Sequence, residues 1–332
     1  MFRLKSCVQA GEEGYFLPFT IKKMYQAIKT SSSEFITLRN QRYHVRTWGN
    51  KEKARQTKPL VLVHGWMDVS ASFQFVVDAL CADRFIIAPD WRGFGLTKSV
   101  HSKTNSVDHF LFADYLGDLD FLLKHYFGKA SVDLVGHSMG GNISMIYSGV
   151  RPERINKLIN LEGFGMASTR PAQAAAKYAK WLNEIEEFHK GKISLKPYKS
   201  LAEVANRLVK NNPRISMDKA NWLANHWAQE DAEGMWRILG EPAHKISSVH
   251  LYRADEASEI HKLITAPVLF VIAQDNGLQQ WFREGYKIEE FYERMKVIKQ
   301  IEFHQLKDTG HMLHHDQPLA LAKVIESFLE KK

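Results

Sequence analysis

One serine stands between glycines in "DLVGHSMGGN", at Ser138. The apolar run 132–135 before it and Gly140 and Gly141 after it predict a strand, a sharp turn at 137–139 and a helix. The G-x-S-x-G pattern is typical of a nucleophile elbow, a strained turn that exposes the serine hydroxyl. A glycine-rich turn whose serine caps the helix would show the same pattern. The pentapeptide alone therefore leaves the role of Ser138 open.

A serine hydroxyl becomes a nucleophile when a neighbouring base removes its proton. His311, in "DTGHM", follows Gly310 and a predicted strand, and we expect it to be that base. His304 falls inside the strand, so we expect a structural role for it. We expect His314 and His315 to start or cap the last helix.

The elements that would position these residues alternate along the chain. A hairpin is predicted over 34–49, with its turn at Asn40, and short continuous apolar runs predict strands that are buried on both faces. The runs span 59–66, 84–93, 132–135, 157–163, 267–274 and 300–306, with helical patterns around 71–82, 107–127 and 318–331. This alternation predicts an α/β sandwich with a mostly parallel sheet.

Between 165 and 262 the alternation gives way to successive helical patterns. One opens with a capping box at Ser200, and another carries a broad apolar stripe that includes Trp222 and Trp227. We interpret this stretch as a helical cap inserted after the sixth strand. The predicted organisation is an N-terminal extension with little pattern over 1–33, a core over 34–164 and 263–332, and the cap over 165–262.

Four motifs at strand ends carry a resemblance to a known family. They are "HGW" at 64–66, "DWRGFGLT" at 90–97, "GHSMGG" at 136–141 and "DTGHM" at 308–312. On these motifs the chain resembles the α/β-hydrolase-fold superfamily, and "LEGFG" and "MLHHDQP" are similar to its capped serine hydrolase-like branch. The resemblance implies a mostly parallel central sheet flanked by helices, with a helical cap after strand six. It also implies an oxyanion hole made by the backbone N–H groups of Trp66 and Met139.

The acid of the expected triad departs from the family pattern. The resemblance places it three residues after a glycine that ends the seventh strand, but here Ala273 replaces that glycine and Asn276 stands at the acid position. Asp275 lies one residue too early. Some haloalkane dehalogenases carry their acid after strand six, where this chain has Glu162. Glu162 and Asp275 are therefore alternatives, and we prefer Glu162.

A serine at position 138 favours acyl transfer through a seryl ester. The leading interpretation is a serine hydrolase, a carboxylesterase with a Ser–His–acid triad that acts on a small-molecule ester or a related acyl substrate. A C–C bond hydrolase acting on a diketone-type acid would use the same triad. A hydrolase-fold binding protein that has lost catalysis is the alternative from another class.

Composition argues against several other functions. The net charge is +8, but basic and acidic residues alternate along the chain, so we expect no nucleic-acid partner. No run approaches the ~18–20 apolar residues that span a bilayer, and the N-terminus lacks the apolar centre of a signal peptide. Cys7 and Cys81 indicate neither a disulfide framework nor a metal site. We therefore expect a cytoplasmic protein without a cofactor or metal, of undetermined oligomeric state.

Overall fold

The computed structural model describes residues 24–52, 57–100, 107–278 and 285–331. Its strands are β1 (Ser32–Leu38), β2 (Gln41–Trp48), β3 (Leu60–Val63), β4 (Ile86–Pro89), β5 (Lys98–Ser99), β6 (Val132–His137), β7 (Ile155–Leu161), β8 (Ala228–Glu230), β9 (Trp236–Ile238), β10 (Val268–Ala273) and β11 (Ile301–Leu306). Within the described residues, nine of them form one sheet in the order β1-β2-β4-β3-β6-β7-β10-β11, with β5 paired to β2. From β4 to β11 neighbouring strands are parallel. The predicted α/β fold with a mostly parallel sheet is confirmed.

The predicted hairpin forms between β1 and β2. Arg39 and Asn40 both have positive φ, 44° and 62°, as a two-residue hairpin turn requires. The strand begins at Ser32, inside the predicted extension. Residues 1–23 of that extension lie outside the described residues. In the described part of the extension, Lys29 donates its backbone N–H to the Asp78 carboxylate at 2.8 Å.

Helices cover both faces of the sheet. They are α1 (Gln74–Ala79), α2 (Phe112–Phe127), α3 (Met139–Val150), α4 (Ala174–His189), α5 (Leu201–Asn211), α6 (Met217–Trp227), α7 (Ala254–His261), α8 (Ile288–Met295), α9 (Leu313–Asp316) and α10 (Pro318–Glu330). Buried side chains of α2, α3 and α8 share one apolar cluster with the sheet, whereas those of α1 and α10 share a second. The sheet is therefore buried on both faces, which explains why its strands are continuous apolar runs.

The chain between β7 and β10 contains α4 to α7. Ser200 caps α5 by accepting a hydrogen bond from the Glu203 N–H at 3.3 Å, as the sequence predicts. The antiparallel pair β8–β9 in this segment was not expected. Apolar side chains of the segment between β7 and β10 form a third cluster with Val69 and Phe75, which follow β3. This segment follows β7, which is the strand predicted as the sixth. The number differs because β5 is a short strand that the sequence patterns missed.

The end of the chain differs from expectation at two histidines. His314 and His315 lie in α9, one turn that precedes α10, and both side chains are buried. The His314 ring packs against His137 and Phe73, with ring centroids 4.4 and 5.3 Å apart. The expectation that these residues start or cap the last helix is therefore wrong, because packing against the sheet ends holds them in a separate turn.

Candidate active site

Ser138 lies in the turn between β6 and α3. Its backbone is left-handed, with φ 52° and ψ −115°, a conformation that costs a non-glycine residue of order 1–3 kcal/mol. The surrounding hydrogen bonds maintain the turn. The Ser138 N–H donates to Leu161 O at 2.8 Å, and Ser138 O accepts the Asn142 N–H at 3.0 Å. The turn therefore joins β6 to β7 and to the first turn of α3.

Two glycines permit this turn because their neighbours leave no room for a side chain. A Cβ at Gly136 would lie 2.4 Å from Gly140 O, and one at Gly140 would lie 2.3 Å from Val63 O. Since these neighbours are backbone atoms, they cannot move aside as a flexible side chain could. The close approach of α3 to its own strand, β6, therefore explains Gly136, and its close approach to the end of β3 explains Gly140.

Glu162 follows β7 directly and has a φ of 60°. Its carboxylate is fully buried and accepts two backbone hydrogen bonds, Oε1 from Ala273 at 2.7 Å and Oε2 from Gly277 at 2.9 Å. The Nδ1 atom of His311 lies 3.4 Å from Glu162 Oε2. The two amides orient the carboxylate toward the imidazole.

Asp275, the alternative acid, has different surroundings. It forms an ion pair with Arg214, and 61% of its side chain is exposed. The loop that carries it after β10 donates the Gly277 N–H to Glu162. The carboxylate that the structure places against His311 Nδ1 is therefore that of Glu162, and Asp275 faces Arg214 at the surface.

His311 lies in the loop after β11 with 14% of its side chain exposed. Burial lowers its pKa below the ordinary 6.5, and the hydrogen bond and negative charge of Glu162 oppose this shift without cancelling it. Its backbone is also held, because His137 Nε2 donates to His311 O at 2.9 Å. Glu162 thus orients the ring and His137 holds the backbone of His311, while burial favours the neutral imidazole that a general base requires.

The "HGW" loop passes close to Ser138. A Cβ at Gly65 would lie only 3.1 Å from Ser138 Cβ, so the loop and the turn are in contact. Among the described residues, the N–H groups of Trp66 and Met139 donate to no backbone carbonyl. Two such donors beside a serine are what an oxyanion hole needs.

A cavity of about 1230 Å³ opens above these residues. Ser138, Glu162 and His311 line it together with Trp66 and Met139, so all the predicted site residues except Asp275 share one space. Side chains of the 165–262 segment also contribute. The cationic lining residues are Lys177, Lys196, Arg207, Lys245, Arg253 and Arg294, and the acidic ones are Asp68, Glu162 and Glu256. Arg253 and Arg294 also form ion pairs with Asp255 and Glu290, which do not line the cavity. The excess of positive charge that is left, about one unit, would attract an anionic group on a ligand.

Asn160 supports the acid and was missed in the sequence. Its side chain accepts the Gly163 N–H at 2.8 Å and donates to Gly163 O at 3.1 Å. It therefore clamps the turn that contains Glu162. A lone asparagine in the otherwise apolar strand end "LINLEG" was the available signal, because a buried amide needs hydrogen-bond partners.

Among the described residues, no helix combines the length and apolar character needed to cross a membrane. Residues 58–318 match the model of a family described as the alpha/beta hydrolase fold. A serine hydrolase-like protein of Danio rerio is 24% identical over 282 residues, covering 82% of each chain. A 2-hydroxy-6-oxo-2,4-heptadienoate hydrolase of Pseudomonas putida is 34% identical over 112 residues, 33% of this chain and 38% of that one.

The fold has a close counterpart among solved structures. A hypothetical protein from Pseudomonas aeruginosa superposes with a TM-score of 0.76 at 22% identity, covering 90% of this chain and 99% of that one. The family match spans most of the chain, and the observed sheet order and turn geometry agree with it. The chain belongs to the α/β-hydrolase-fold superfamily.

Proposed function

We propose that this hydrolase cleaves a carboxylic ester through a seryl acyl-enzyme, with Ser138 as nucleophile, His311 as base and Glu162 as acid. The observation that carries the proposal is the 3.4 Å approach of His311 Nδ1 to a carboxylate that two backbone amides orient. A buried carboxylate in that position keeps the proton on Nδ1, so Nε2 is free to accept the serine proton. The left-handed turn at Ser138 supports the role of nucleophile.

The proposed reaction has two halves. Ser138 Oγ attacks the ester carbonyl while His311 takes its proton, and the negative oxygen that forms accepts the N–H groups of Trp66 and Met139. The intermediate collapses, the C–O bond to the alcohol breaks, and His311 protonates the alcohol as it leaves. Water then attacks the acyl-serine by the same route and releases the acid, which restores Ser138.

We also propose that residues 165–262 act as a cap over this site. Trp227 and Tyr252 from this segment line the cavity that contains Ser138. Trp227 is 7% exposed and belongs to the apolar cluster that joins the segment to Val69 and Phe75. A cap in this position would enclose the acyl group and exclude water from it.

A C–C bond hydrolase is the second candidate function. The excess of positive charge around the cavity favours a substrate that carries a carboxylate, such as a diketone-type acid. The partial similarity to a hydrolase whose name specifies a dienoate supports the same substrate class. Both candidate functions use the same triad, so they differ in substrate rather than in machinery.

Labelling with a fluorophosphonate probe tests the nucleophile without knowledge of the substrate. We expect the unaltered protein to be labelled and Ser138→Ala to lose labelling. Ser248→Ala is the matched control, because Ser248 lines the same cavity away from the turn, and it should label normally. An unlabelled protein with normal folding would favour the binding-protein alternative.

Substrate panels then separate the two hydrolase functions. Turnover of p-nitrophenyl esters without turnover of diketone acids supports the esterase, and the opposite result supports the C–C hydrolase.

A further inference from the structure

Three buried side chains face one another beneath the proposed triad. Asp68 follows the "HGW" loop, His137 ends β6 and His314 lies in α9. One donor atom of each lies within 4.8 Å of the donor atoms of the other two. The residues are 5%, 1% and 0% exposed, respectively. Buried polar groups are costly unless they have partners, so this cluster requires an explanation.

The hydrogen bonds around the cluster leave two of its buried acceptor atoms without a partner among the described residues. His137 Nε2 donates to His311 O at 2.9 Å, and a carbonyl only accepts, so the other ring nitrogen, Nδ1, carries a lone pair. Asp68 uses Oδ1 to accept the Val69 N–H at 2.9 Å. Among the described residues, neither His137 Nδ1 nor Asp68 Oδ2 has a hydrogen-bond partner.

His314, the third residue of the cluster, does not form a hydrogen bond with Asp68. Its Nε2 lies 3.8 Å from Asp68 Oδ2, beyond hydrogen-bond distance. The same nitrogen forms a long hydrogen bond of 3.3 Å with Ser72 Oγ, which an ion bound to Nε2 would replace. His314 Nδ1 has no partner among the described residues. Two ligand atoms on a tetrahedral zinc ion are about 3.4 Å apart, given Zn–ligand distances of about 2.0–2.2 Å. The 3.8 Å separation therefore comes close to what a shared metal ion requires.

We infer that Asp68, His137 and His314 form a binding site for a divalent transition-metal ion, with Zn²⁺ as the ion that suits it best. Two imidazoles and one carboxylate are a common donor set for Zn²⁺. Asp68 and His137 line the cavity, which provides the ion with a path and leaves a fourth position for water. The spacing of Cys7 and Cys81 did not indicate a metal site, but cysteine spacing carries no information about a site made by histidines and an aspartate.

The site would connect three loops that carry separate parts of the proposed machinery. Asp68 follows the loop of Trp66, His137 precedes Ser138, and His314 lies three residues after His311. An ion bound to all three would hold these loops at a fixed spacing. It should also raise the melting temperature, because a ligand that binds the folded state stabilises it.

Metal titration of the full chain tests the site independently of any hydrolase activity. We expect one Zn²⁺ per chain by calorimetry, a tetrahedral Co²⁺ absorption spectrum, and a higher melting temperature with Zn²⁺. Asp68→Asn and His314→Gln should each weaken Zn²⁺ binding at least about 100-fold, since even residues that only support ligands contribute 10–100-fold. His304→Gln, at an exposed histidine of β11, should bind Zn²⁺ as the unaltered protein does.

Crystals of the unaltered protein soaked in Zn²⁺ provide a second measurement that needs no variant to fold. An anomalous scattering peak bonded to Asp68, His137 and His314 would support the site. A water molecule there, an ion bound only at His311, or unchanged affinity in folded Asp68→Asn and His314→Gln would overturn it. None of these outcomes decides whether the proposed ester hydrolysis is correct, because labelling of Ser138 tests that proposal separately.

Discussion

Glu162, like Ser138, has a left-handed backbone in the proposed triad. A left-handed backbone at a glutamate costs of order 1–3 kcal/mol, yet Glu162 adopts a φ of 60°. The conformation directs its carboxylate to the amides of Ala273 and Gly277 and to His311 Nδ1. Hydrogen bonds to a charged acceptor contribute about 1.5–3 kcal/mol each, so these contacts are sufficient to offset the strain.

The first prediction compares the two carboxylates. Glu162→Gln should lower kcat by up to about 10⁴, the loss seen when a serine protease triad loses its carboxylate charge. Asp275→Asn is the matched control, and it should change kcat less than about threefold because exposed ion pairs contribute about 0–1 kcal/mol. Turnover of the ester found in the substrate panel gives kcat for both variants, and the rate of fluorophosphonate labelling compares the reactivity of their Ser138. A large loss of kcat in Asp275→Asn with a normal kcat in Glu162→Gln would instead identify Asp275, in the loop after β10, as the acid.

The second prediction concerns pH. Burial lowers the pKa of His311 below 6.5, and a general base works only when it is deprotonated. Activity should therefore persist as the pH falls through 6.5, and the acidic limb of kcat/KM should have an apparent pKa below that value. A pH profile of kcat/KM measures this limb. A midpoint above 6.5 would mean that Glu162 outweighs burial.

At the scale of elements, the site depends on how closely α3 approaches β3. Gly140 lies at the second position of α3, where alanine would normally favour a helix by about 1 kcal/mol. The absence of a side chain instead permits contact with the carbonyls of Val63 and His64, whose oxygens would lie 2.3 and 2.6 Å from a Cβ at this position. The turn at Ser138 can form only if this contact is preserved.

The third prediction tests that contact. Gly140→Ala should destabilise the fold by at least about 2 kcal/mol, because overpacking against fixed atoms outweighs the gain in helix propensity. Gly285→Ala is the control, since a Cβ there meets no atom of the described residues within 4 Å, and it should change stability by less than about 0.5 kcal/mol. Denaturant unfolding measures both. Equal stability in the two variants would contradict the argument from close approach.

At the scale of the whole molecule, the cavity lies where the sheet ends meet the 165–262 segment. The catalytic candidates come from loops after β3, β6, β7 and β11, and the remaining lining comes largely from that segment. In the proposed function this division would separate chemistry from substrate selection, as in other folds whose loops carry function on a rigid scaffold.

The fourth prediction separates two tryptophans of α6. Trp227 lines the cavity, whereas Trp222 packs against Tyr25 and Phe75. Trp227→Ala should raise KM several-fold and shift the preferred acyl length, because it enlarges the cavity. Trp222→Ala should lower the melting temperature and leave acyl preference unchanged. Ester panels of rising chain length, with melting curves, measure both. Identical profiles for the two variants would argue against the cap assignment.

The sequence by itself determined the features that depend on local pattern. The glycines around Ser138 predicted the turn, because two backbone segments can approach this closely only where a residue lacks a side chain. Apolar runs predicted the parallel strands, since burial on both faces leaves no polar alternation. The hairpin turn at Asn40 followed from the same kind of local signal.

Only the tertiary structure decided which carboxylate meets His311. Glu162 and Asp275 both follow strands, and their spacing along the chain does not distinguish them. The choice depends on contacts between distant segments, because the amides after β10 turn toward Glu162 while Arg214 pairs with Asp275. The burial of His314 beside Asp68 and His137 arises in the same way. Such contacts follow from how elements pack, which no periodicity along the chain encodes.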